Sequence, residues 1–219
     1  MTELPAGEAR VWTLRLDGAP DLAGLLSADE RARAGRFLHE GARRQFVAAR
    51  GGLRLILSRC TGVAPERVAF TYTGNGKPGV AGACFNVSHS HEVALVAVSR
   101  GLELGVDVEW VRERESWRDM ARRFFTPAEA ALCVDLRAFY HVWVRKEAFL
   151  KALGLGLSHG LERFAVSVPP DEPARVLHVD GDEAAGRRWT LAALGPAEGY
   201  VGALAAEGPV IVRGEQWAW

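Results

Sequence analysis

Asp107 and Glu109 lie two residues apart in the segment Gly105–Glu109, in which apolar and acidic residues alternate. Alternation with a period of two is typical of a β-strand, and it places both carboxylates on one face of that strand. Apolar residues flank the segment, which predicts a strand inside a sheet. At about 4 Å and an effective dielectric of about 20, the two charges would repel each other by about 4 kcal/mol. A proton, a cation or basic side chains must offset this repulsion.

A divalent cation is one way to offset the repulsion between these two carboxylates. Mg²⁺ prefers oxygen ligands and is bound by carboxylates together with water and the phosphates of a substrate. The alternative is an edge strand whose acidic side chains are simply solvated. The spacing alone does not decide between the two interpretations.

A third carboxylate and two lysines follow in a predicted helix. Apolar residues recur at helical spacing between Phe139 and Leu153, which indicates an amphipathic helix. Trp143, Glu147 and Lys151 follow one another at i, i+4 and therefore share one of its faces. As an ordinary surface pair, Glu147 and Lys151 would contribute only about 0.2–0.5 kcal/mol.

Lysine is rare in this chain, which has 27 basic residues but uses arginine at all positions except Lys77, Lys146 and Lys151. Arginine and lysine differ in chemistry, because the ammonium group is compact and transfers a proton more readily than a guanidinium. The placement of lysine in the two segments Gly76–Pro78 and Trp143–Lys151 therefore predicts that these positions need an ammonium group.

Arginines and a Ser-His-Ser cluster offer groups that bind phosphate. Two predicted helices carry arginine-rich faces, which include Arg33 and Arg44, and arginine binds phosphate in a bidentate manner. The alternative is that these are solvated arginines of a helix surface. Ser88 and His89 lie near the end of a predicted strand and suit hydrogen bonds to phosphate. They do not suggest a hydrolase triad, because the chain has no Gly-x-Ser-x-Gly elbow.

The composition excludes several classes of protein. The chain has 219 residues, 48% of them hydrophobic, which is enough for one domain or two small lobes. Its net charge is zero, so no extended basic surface for nucleic acid is expected. No run approaches the ~20 apolar residues of a membrane span. The odd number of cysteines and the absence of a signal-like N-terminus predict a cytoplasmic protein.

The elements that must position the candidate residues follow a coarse repeat of helices and then strands in each half, which predicts an α+β fold. In the first half, a capping box at Ser27 and apolar spacing from Gly41 to Cys60 predict two helices, and Val68–Tyr72 is predicted as a short strand. A second capping box, at Thr126, predicts the start of a helix in the second half. Thr73–Gly79 is a glycine-rich turn but not a P-loop, because the Gly-Lys-Ser/Thr ending is missing. In the C-terminal part, four short strands are predicted, at Phe164–Val168, Arg175–Val179, Trp189–Leu194 and Tyr200–Ala205.

Four motifs in the order found here resemble those of the 4′-phosphopantetheinyl transferases of the surfactin-synthetase-activating type. They are Gly76-Lys77-Pro78, Phe85-Asn86-Val87-Ser88-His89-Ser90, Gly105-Val106-Asp107-Val108-Glu109 and Trp143-x-x-Lys146-Glu147-Ala148-x-x-Lys151-x-x-Gly154-x-Gly156-Leu157. Each motif is weak alone, whereas together they are specific. The resemblance extends from about Ser27 to Val168 and is weak in the C-terminal strands.

The resemblance implies an α+β fold of two similar halves, expected at residues 1–104 and 105–219, with coenzyme A bound in the cleft between them. It implies transfer of the phosphopantetheine arm of coenzyme A to a serine of an acyl, peptidyl or aryl carrier protein. The second product is adenosine 3′,5′-bisphosphate. A monomer in the cytoplasm is expected, without nucleic acid or membrane partners. Fatty acid, polyketide, nonribosomal peptide and siderophore systems all remain open for the carrier.

The resemblance also implies roles for individual residues. Asp107, Glu109 and Glu147 would hold Mg²⁺, with Mn²⁺ as a substitute, on the pyrophosphate. Glu147 would take the proton of the serine directly or through water, and Lys151 would contact the phosphates and protonate the leaving group. The remaining positions expected to contact coenzyme A are Arg33, Arg44, Lys77, Ser88, His89 and Lys146.

The carrier protein must dock close to this site. A short predicted helix mixes cations with apolar residues, as expected of a surface that meets a small acidic partner. Its residues of interest are Arg118, Met120, Arg122, Phe124 and Phe125. The alternative for each of the two phenylalanines is a place in the core.

Two other functions use the same residues. The first is a Mg²⁺-dependent nucleotide or phosphodiester hydrolase, in which the carboxylates would act on water. The second is an inactive module that binds carrier proteins or nucleotides. The complete set of Asp107, Glu109, Glu147 and Lys151 argues against an inactive module.

Overall fold

The computed structural model of the chain describes residues 2–156, 160–168 and 173–219 and has an α+β fold. Leu157, the last residue of the fourth motif, lies outside the described residues. The strands are β1 (Glu8–Arg15), β2 (Thr71–Tyr72), β3 (Pro78–Gly79), β4 (Cys84–Ser90), β5 (Val93–Ser99), β6 (Leu104–Trp110), β7 (Phe164–Val166), β8 (Val176–Val179), β9 (Trp189–Leu194), β10 (Tyr200–Glu207) and β11 (Ile211–Gln216). The helices are α1 (Ala28–Ala34), α2 (Glu40–Thr61), α3 (Trp117–Phe124), α4 (Pro127–Leu132), α5 (Leu136–Leu153) and α6 (Glu183–Arg187).

The first half is a four-stranded sheet, in the order β11-β1-β5-β4, against which α2 packs. β5 pairs antiparallel with both β1 and β4. Leu53 and Ile56 of α2 are buried in one cluster with Leu14 of β1 and Val96 of β5. The spacing of Leu53 and Ile56 places both side chains on one face of the helix, which explains why α2 covers this sheet.

The second half is a three-stranded antiparallel sheet, in the order β6-β10-β9, covered by α5. Phe139 and Phe149 of α5 are buried in one cluster with Val201 and Ala203 of β10. The carboxylate of Asp135 caps the start of α5 by accepting a hydrogen bond from the backbone N–H of Ala138 at 2.7 Å. α5 thus has a fixed start and a largely buried surface, and Glu147 and Lys151 lie on its partly exposed face.

The two halves share a continuous core. Val11 and Leu95 of the first sheet are buried in one cluster with Val106 and Leu204 of the second. β6 is the outer strand of its own sheet, but β4 lies beside it, and the backbone N–H of Val106 donates to Oδ1 of Asn86 at 2.9 Å. Because β4 covers this edge, the acidic strand is not the open, solvated edge that was the alternative interpretation of the sequence.

The last strand crosses the predicted boundary between the halves. β11 pairs in parallel with β1, and Trp217 after it is buried in the core of the first half. The predicted half 105–219 therefore includes a C-terminal segment that packs with the other half. The short, mostly exposed β11 has no apolar alternation that could reveal its partner.

The predicted helices and most predicted strands are confirmed. The capping boxes at Ser27 and Thr126 are both present. The predicted strand from Val68 to Tyr72 forms only at Thr71–Tyr72, while α6 was not predicted. Within the described residues, no helix is both long enough and apolar enough to cross a membrane.

Phe125 is a core residue, which is the alternative that the sequence left open for it. Only 3% of it is exposed, and its ring stacks on Phe139 at a centroid distance of 5.4 Å. Phe124 is partly buried and meets the ring of Trp143 edge-on at 5.9 Å. The cations of α3 lie on the surface, where Arg122 forms an ion pair with Asp119.

Candidate functional site

The acidic pair of β6 lies on one face of the strand, as its alternation predicts. The hydroxyl of Ser88 donates to Oδ1 of Asp107 at 2.7 Å, and that of Ser90 donates to Oε2 of Glu109 at 2.9 Å. Asp107 is buried, with 4% of its surface exposed, and Glu109 is half-buried. Both carboxylates therefore point towards β4 and not into bulk solvent.

Gly105 brings β6 into direct contact with the backbone of α5. A Cβ atom at this position would overlap the carbonyl oxygen of Ala148 and the amide nitrogen of Ala152. No residue larger than glycine allows so close an approach of strand and helix. Asp107 follows two residues later on the same strand, so this contact sets the distance between Asp107 and the side chains of α5.

Lys151 is the basic group that offsets part of the charge on the acidic strand. Its Nζ lies 2.7 Å from Oδ1 of Asp107, 3.0 Å from the hydroxyl of Ser88 and 3.3 Å from the carbonyl oxygen of Val106. The structure thus joins two of the predicted catalytic residues, from a strand and from a helix that are distant in sequence.

Glu147 lies one turn before Lys151 and experiences the negative charge of β6. Burial, followed by repulsion from Asp107, raises the pKa of Glu147 to about 7, with a smaller contribution from Glu109 and an opposing one from Lys151. Burial also raises the pKa of Glu109, with Ser90 opposing this shift and Asp107 adding to it. The three predicted acids therefore lie within electrostatic range of one another.

The oxygen atoms of this site suit a hard divalent cation. Oδ2 of Asp107 and Oε1 of Glu147 are buried and have no hydrogen-bond partner within the described residues. Two such oxygens are the ligands that Mg²⁺ prefers, and a dication would relieve the repulsion that raises the pKa of Glu147. Across 2–156, 160–168 and 173–219, however, no three His, Cys, Asp or Glu side chains form a group that could hold a metal ion as they stand. The three-acid site remains a prediction.

His89 and Arg33 lie on the positively charged side of this region. His89 is exposed at its surface, but neighbouring protein atoms partly desolvate it and lower its pKa, as do the charges of Lys151 and Arg33. The guanidinium of Arg33 also lies over the ring of Phe46 at 5.2 Å. His89, Arg33 and Lys151 are therefore close enough to build a local positive potential.

Arg44 lies in a different place. It is exposed on α2 and lines a surface cavity of about 570 Å³ that none of the three site acids lines. Four acidic residues share this cavity: Asp17, Asp21, Glu40 and Glu92. Arg44 therefore lies in a mixed-charge surrounding and not in a cluster of cations.

Lys77 contacts the protein itself in this structure. Its Nζ lies 2.7 Å from Oε2 of Glu103, 3.3 Å from the carbonyl oxygen of Leu104 and 3.1 Å from that of Ala152. An ammonium group has three protons, and three acceptors surround it here. The turn of the first half that carries Lys77 is thus tied to both β6 and α5.

Lys146, for which a contact with coenzyme A is expected from the sequence, is a core residue of the second half in this structure. It is fully buried, and its Nζ lies 2.8 Å from Oε2 of Glu129 and 2.8 Å from the carbonyl oxygen of Leu161. The carbonyl oxygen of Phe164 accepts its third hydrogen bond. No proton of the ammonium group is left for a ligand.

Ser90 and Gly105 are two residues of the site whose roles the sequence did not reveal. Ser90 could have been found from matched spacing, since Ser88 and Ser90 are two residues apart on one strand, as Asp107 and Glu109 are on the other. Gly105 belongs to a recognised motif, but its close contact with α5 depends on a helix that is distant in sequence.

Comparison with known proteins extends over both halves of the chain. Residues 103–205 match the 4′-phosphopantetheinyl transferase superfamily. The chain is 37% identical to the 4′-phosphopantetheinyl transferase HetI of Nostoc sp., over 94% of this chain and 90% of that protein. It is 31% identical to a 4′-phosphopantetheinyl transferase of Bacillus subtilis, over 72% of this chain and 73% of that protein.

A more distant relative is the L-aminoadipate-semialdehyde dehydrogenase-phosphopantetheinyl transferase of Xenopus laevis, which is 28% identical over 68% of this chain and 56% of that protein. The superfamily match includes the acidic strand β6 and the helix α5 that carries Glu147 and Lys151. The similarity to HetI covers nearly the full length of both proteins. The chain therefore belongs to the 4′-phosphopantetheinyl transferase family.

Proposed function

We propose that this chain transfers the 4′-phosphopantetheine group of coenzyme A to a serine hydroxyl of an acyl, peptidyl or aryl carrier protein in a Mg²⁺-dependent reaction. Membership of the family supports the transfer. The observation that carries the assignment to this site is the contact between β6 and α5. There Lys151 contacts Asp107, and the charges of Asp107, Glu109 and Lys151 all act on Glu147.

Asp107, Glu109 and Glu147 are the proposed ligands of Mg²⁺, for which Mn²⁺ would substitute. The two buried carboxylate oxygens without partners support this assignment. When bound, the ion would act as a Lewis acid on the pyrophosphate of coenzyme A. The Mg²⁺ requirement is therefore a proposal about these three side chains, and removal of divalent cations tests it directly.

The proposed reaction forms a bond between the serine oxygen and the β-phosphorus of coenzyme A and breaks the bond to adenosine 3′,5′-bisphosphate. Glu147 lies within electrostatic range of Asp107 and Lys151 and would take the serine proton directly or through water. The ammonium group of Lys151 is held by Asp107 and Ser88 and would donate a proton to the departing oxygen. Phosphoryl transfer depends mainly on such positioning and charge neutralisation.

The nucleotide end of coenzyme A is proposed to meet His89, Arg33 and Arg44. The effect of Lys151 and Arg33 on the pKa of His89 supports a positive potential there. The chain has two halves, each a sheet covered by a helix, and Lys151 of the second half contacts Ser88 of the first. This arrangement supports the surfactin-synthetase-activating type and action as a monomer. Cys60, Cys84 and Cys133 are free thiols, which supports the cytoplasm as the place of action.

Mass spectrometry of candidate apo carrier proteins tests this function. With coenzyme A and Mg²⁺, we expect a carrier to gain the mass of one phosphopantetheine group, and we expect chelation of divalent cations to abolish the gain. A variant carrier with its acceptor serine replaced by alanine is the control. Release of free phosphopantetheine without modification of any carrier would instead identify a hydrolase.

A further inference from the structure

We infer that Ser88 and Ser90 are positioning residues that hold the acidic pair of β6 in place from the neighbouring strand β4. This inference rests on the proposed function, in which Asp107 and Glu109 bind the divalent cation. It assigns a role to Ser90. For Ser88, which the sequence suggests as a residue that binds phosphate, it proposes instead that the hydroxyl holds Asp107 in place.

β4 and β6 run side by side but belong to different sheets, so their connection here depends on side chains. The side chains involved come from alternate positions of β4. Asn86 accepts a hydrogen bond from the backbone of Val106, Ser88 donates to Asp107, and Ser90 donates to Glu109. These contacts advance in the same direction along both strands, so each serine lies opposite one acid.

Each serine hydroxyl is already committed to two partners. Ser88 donates its proton to Oδ1 of Asp107 and accepts one from Nζ of Lys151 at 3.0 Å. Ser90 donates to Oε2 of Glu109 and accepts from the backbone N–H of Trp110 at 3.1 Å. A hydroxyl has a single proton to donate, so neither serine can donate to a phosphate while it holds its carboxylate.

The consequence for the acids is an asymmetry between their oxygens. Oδ1 of Asp107 is held by Ser88 and Lys151, whereas Oδ2 is buried without a partner within the described part of the chain. A carboxylate fixed through one oxygen presents the other in a defined direction. Partners of this kind around a metal site change metal affinity by about 10–100-fold when they are removed.

Ser90 offers the cleaner test, because Ser88 also contacts Lys151. We expect Ser90→Ala to weaken Mn²⁺ binding by about 10–100-fold, measured by calorimetry or by electron paramagnetic resonance of free Mn²⁺. We expect Ser90→Thr, which keeps a hydroxyl, to recover most of that affinity. The matched control is Ser99→Ala, since Ser99 is a buried serine of β5 whose hydroxyl donates to the carbonyl oxygen of Leu102.

A second measurement separates positioning from direct contact with the substrate. Affinity for coenzyme A in the presence of a chelator should be the same for Ser90→Ala and the wild type, because the hydroxyl acts only through Glu109. A loss of that metal-free affinity would overturn the inference in favour of a phosphate contact. Thermal unfolding of each variant shows whether it is folded in the binding experiments.

The outcomes distinguish this inference from the proposed function. If the wild type binds Mn²⁺ and Ser90→Ala binds it equally well, the positioning role is wrong and the metal site stands. If the wild type does not bind Mn²⁺ even with coenzyme A present, the metal site itself is wrong and the inference falls with it. Weaker Mn²⁺ binding in Ser90→Ala but not in Ser99→Ala supports both.

Discussion

The ammonium group of Lys151 meets Asp107 at 2.7 Å on the partly open face of α5, and that of Lys146 meets Glu129 at 2.8 Å in the core. Lys77 meets Glu103 and two backbone carbonyl oxygens at the junction of the halves. All three residues are lysines, so the acceptors around each ammonium group decide which lysine is available to a substrate.

Loss of either central acid should remove most of the activity. We expect Glu147→Gln and Asp107→Ala each to lower the rate of phosphopantetheine transfer by at least ~10²-fold, which corresponds to ~2.7 kcal/mol of transition-state stabilisation. Mass-spectrometric time courses with a carrier protein measure this rate. Glu66→Gln, a change of an exposed glutamate in a short 3₁₀ turn, is the matched control. Rates close to the wild type in either acid variant would refute the metal assignment.

The buried pair of Lys146 and Glu129 should matter for stability and not for substrate binding. Removal of one partner from a buried ion pair costs about 3–5 kcal/mol, because a charge is left unpaired. We therefore expect Lys146→Met to lower the free energy of unfolding in urea by about this amount. The double variant Lys146→Met/Glu129→Gln should lose less, since it leaves no buried charge. A wild-type free energy of unfolding in Lys146→Met would contradict the structural role.

At the scale of the elements, the close contact between β6 and α5 sets the distances between the acidic strand and the site residues of the helix. Gly105→Ala would place a methyl group against the backbone of Ala148 and Ala152. Overpacking of this kind typically costs ~1–3 kcal/mol, and a misplacement of about 1 Å near a reaction costs about 10²-fold in rate. We expect Gly105→Ala to lose transfer activity by a factor of about 10² while it still folds.

Gly214→Ala is the control for that change, because Gly214 lies in strand β11 and a Cβ there would meet no atom within 4 Å. It should keep wild-type activity. If Gly105→Ala is as active as Gly214→Ala, the close approach of strand and helix does not determine the catalytic geometry.

The junction of α1 and α2 predicts a dependence of stability on pH. Burial alone would raise the pKa of Glu30, but hydrogen bonds from Arg54, the backbone of Ser27 and Arg50 outweigh it and lower the pKa below 4.5. A carboxylate with a lower pKa in the folded state contributes stability above its unfolded pKa and loses it as the pH falls through the folded pKa. Glu30 therefore stabilises the fold near neutral pH and ceases to do so in acid.

Urea unfolding of the wild type and Glu30→Gln measures this contribution. We expect the difference in their free energies of unfolding to be largest above pH 4.5, the usual pKa of the group. It should shrink as the pH is lowered from about 5 to about 3. A difference that stays constant over this range would mean that the charge of Glu30 does not matter for folding.

For the whole molecule, local sequence patterns predicted most helices and strands and the faces that carry the site residues. Contacts between segments that are distant in sequence could not be predicted in this way. Alternation placed Asp107 and Glu109 on one face of a strand, and helical spacing placed Glu147 and Lys151 on one face of a helix. The structure confirms both placements. The return of β11 to β1 depends on pairing between the two ends of the chain, which leaves no local pattern. The burial of Lys146 depends on Glu129 of a preceding helix, so its position in a motif does not reveal this contact.

Lys77 connects the two halves of the chain through its hydrogen bonds. Its substitution distinguishes a structural role of this residue from a role in substrate binding. The side chain of Lys77 is 14% exposed, and Lys77→Ala would leave the carbonyl oxygens of Leu104 and Ala152 without its hydrogen bonds. A buried acceptor that loses its partner costs about 1–3 kcal/mol. We expect Lys77→Ala to lower the free energy of unfolding by that amount and to increase hydrogen exchange at the end of α5.

The matched control is Glu103→Ala, which removes the ion pair of Lys77 and a weak contact with the thiol of Cys84. Glu103 is 62% exposed, and an exposed pair contributes about 0–1 kcal/mol, so this variant should stay close to the wild type in stability and exchange. The alternative, from the sequence, is that Lys77 binds the adenylate and phosphates of coenzyme A. In that case Lys77→Ala would keep its stability and lose affinity for coenzyme A, since a ligand contact does not support the empty protein. Loss of stability together with faster exchange at α5 would instead show that Lys77 holds Glu147 and Lys151 in place from the other half.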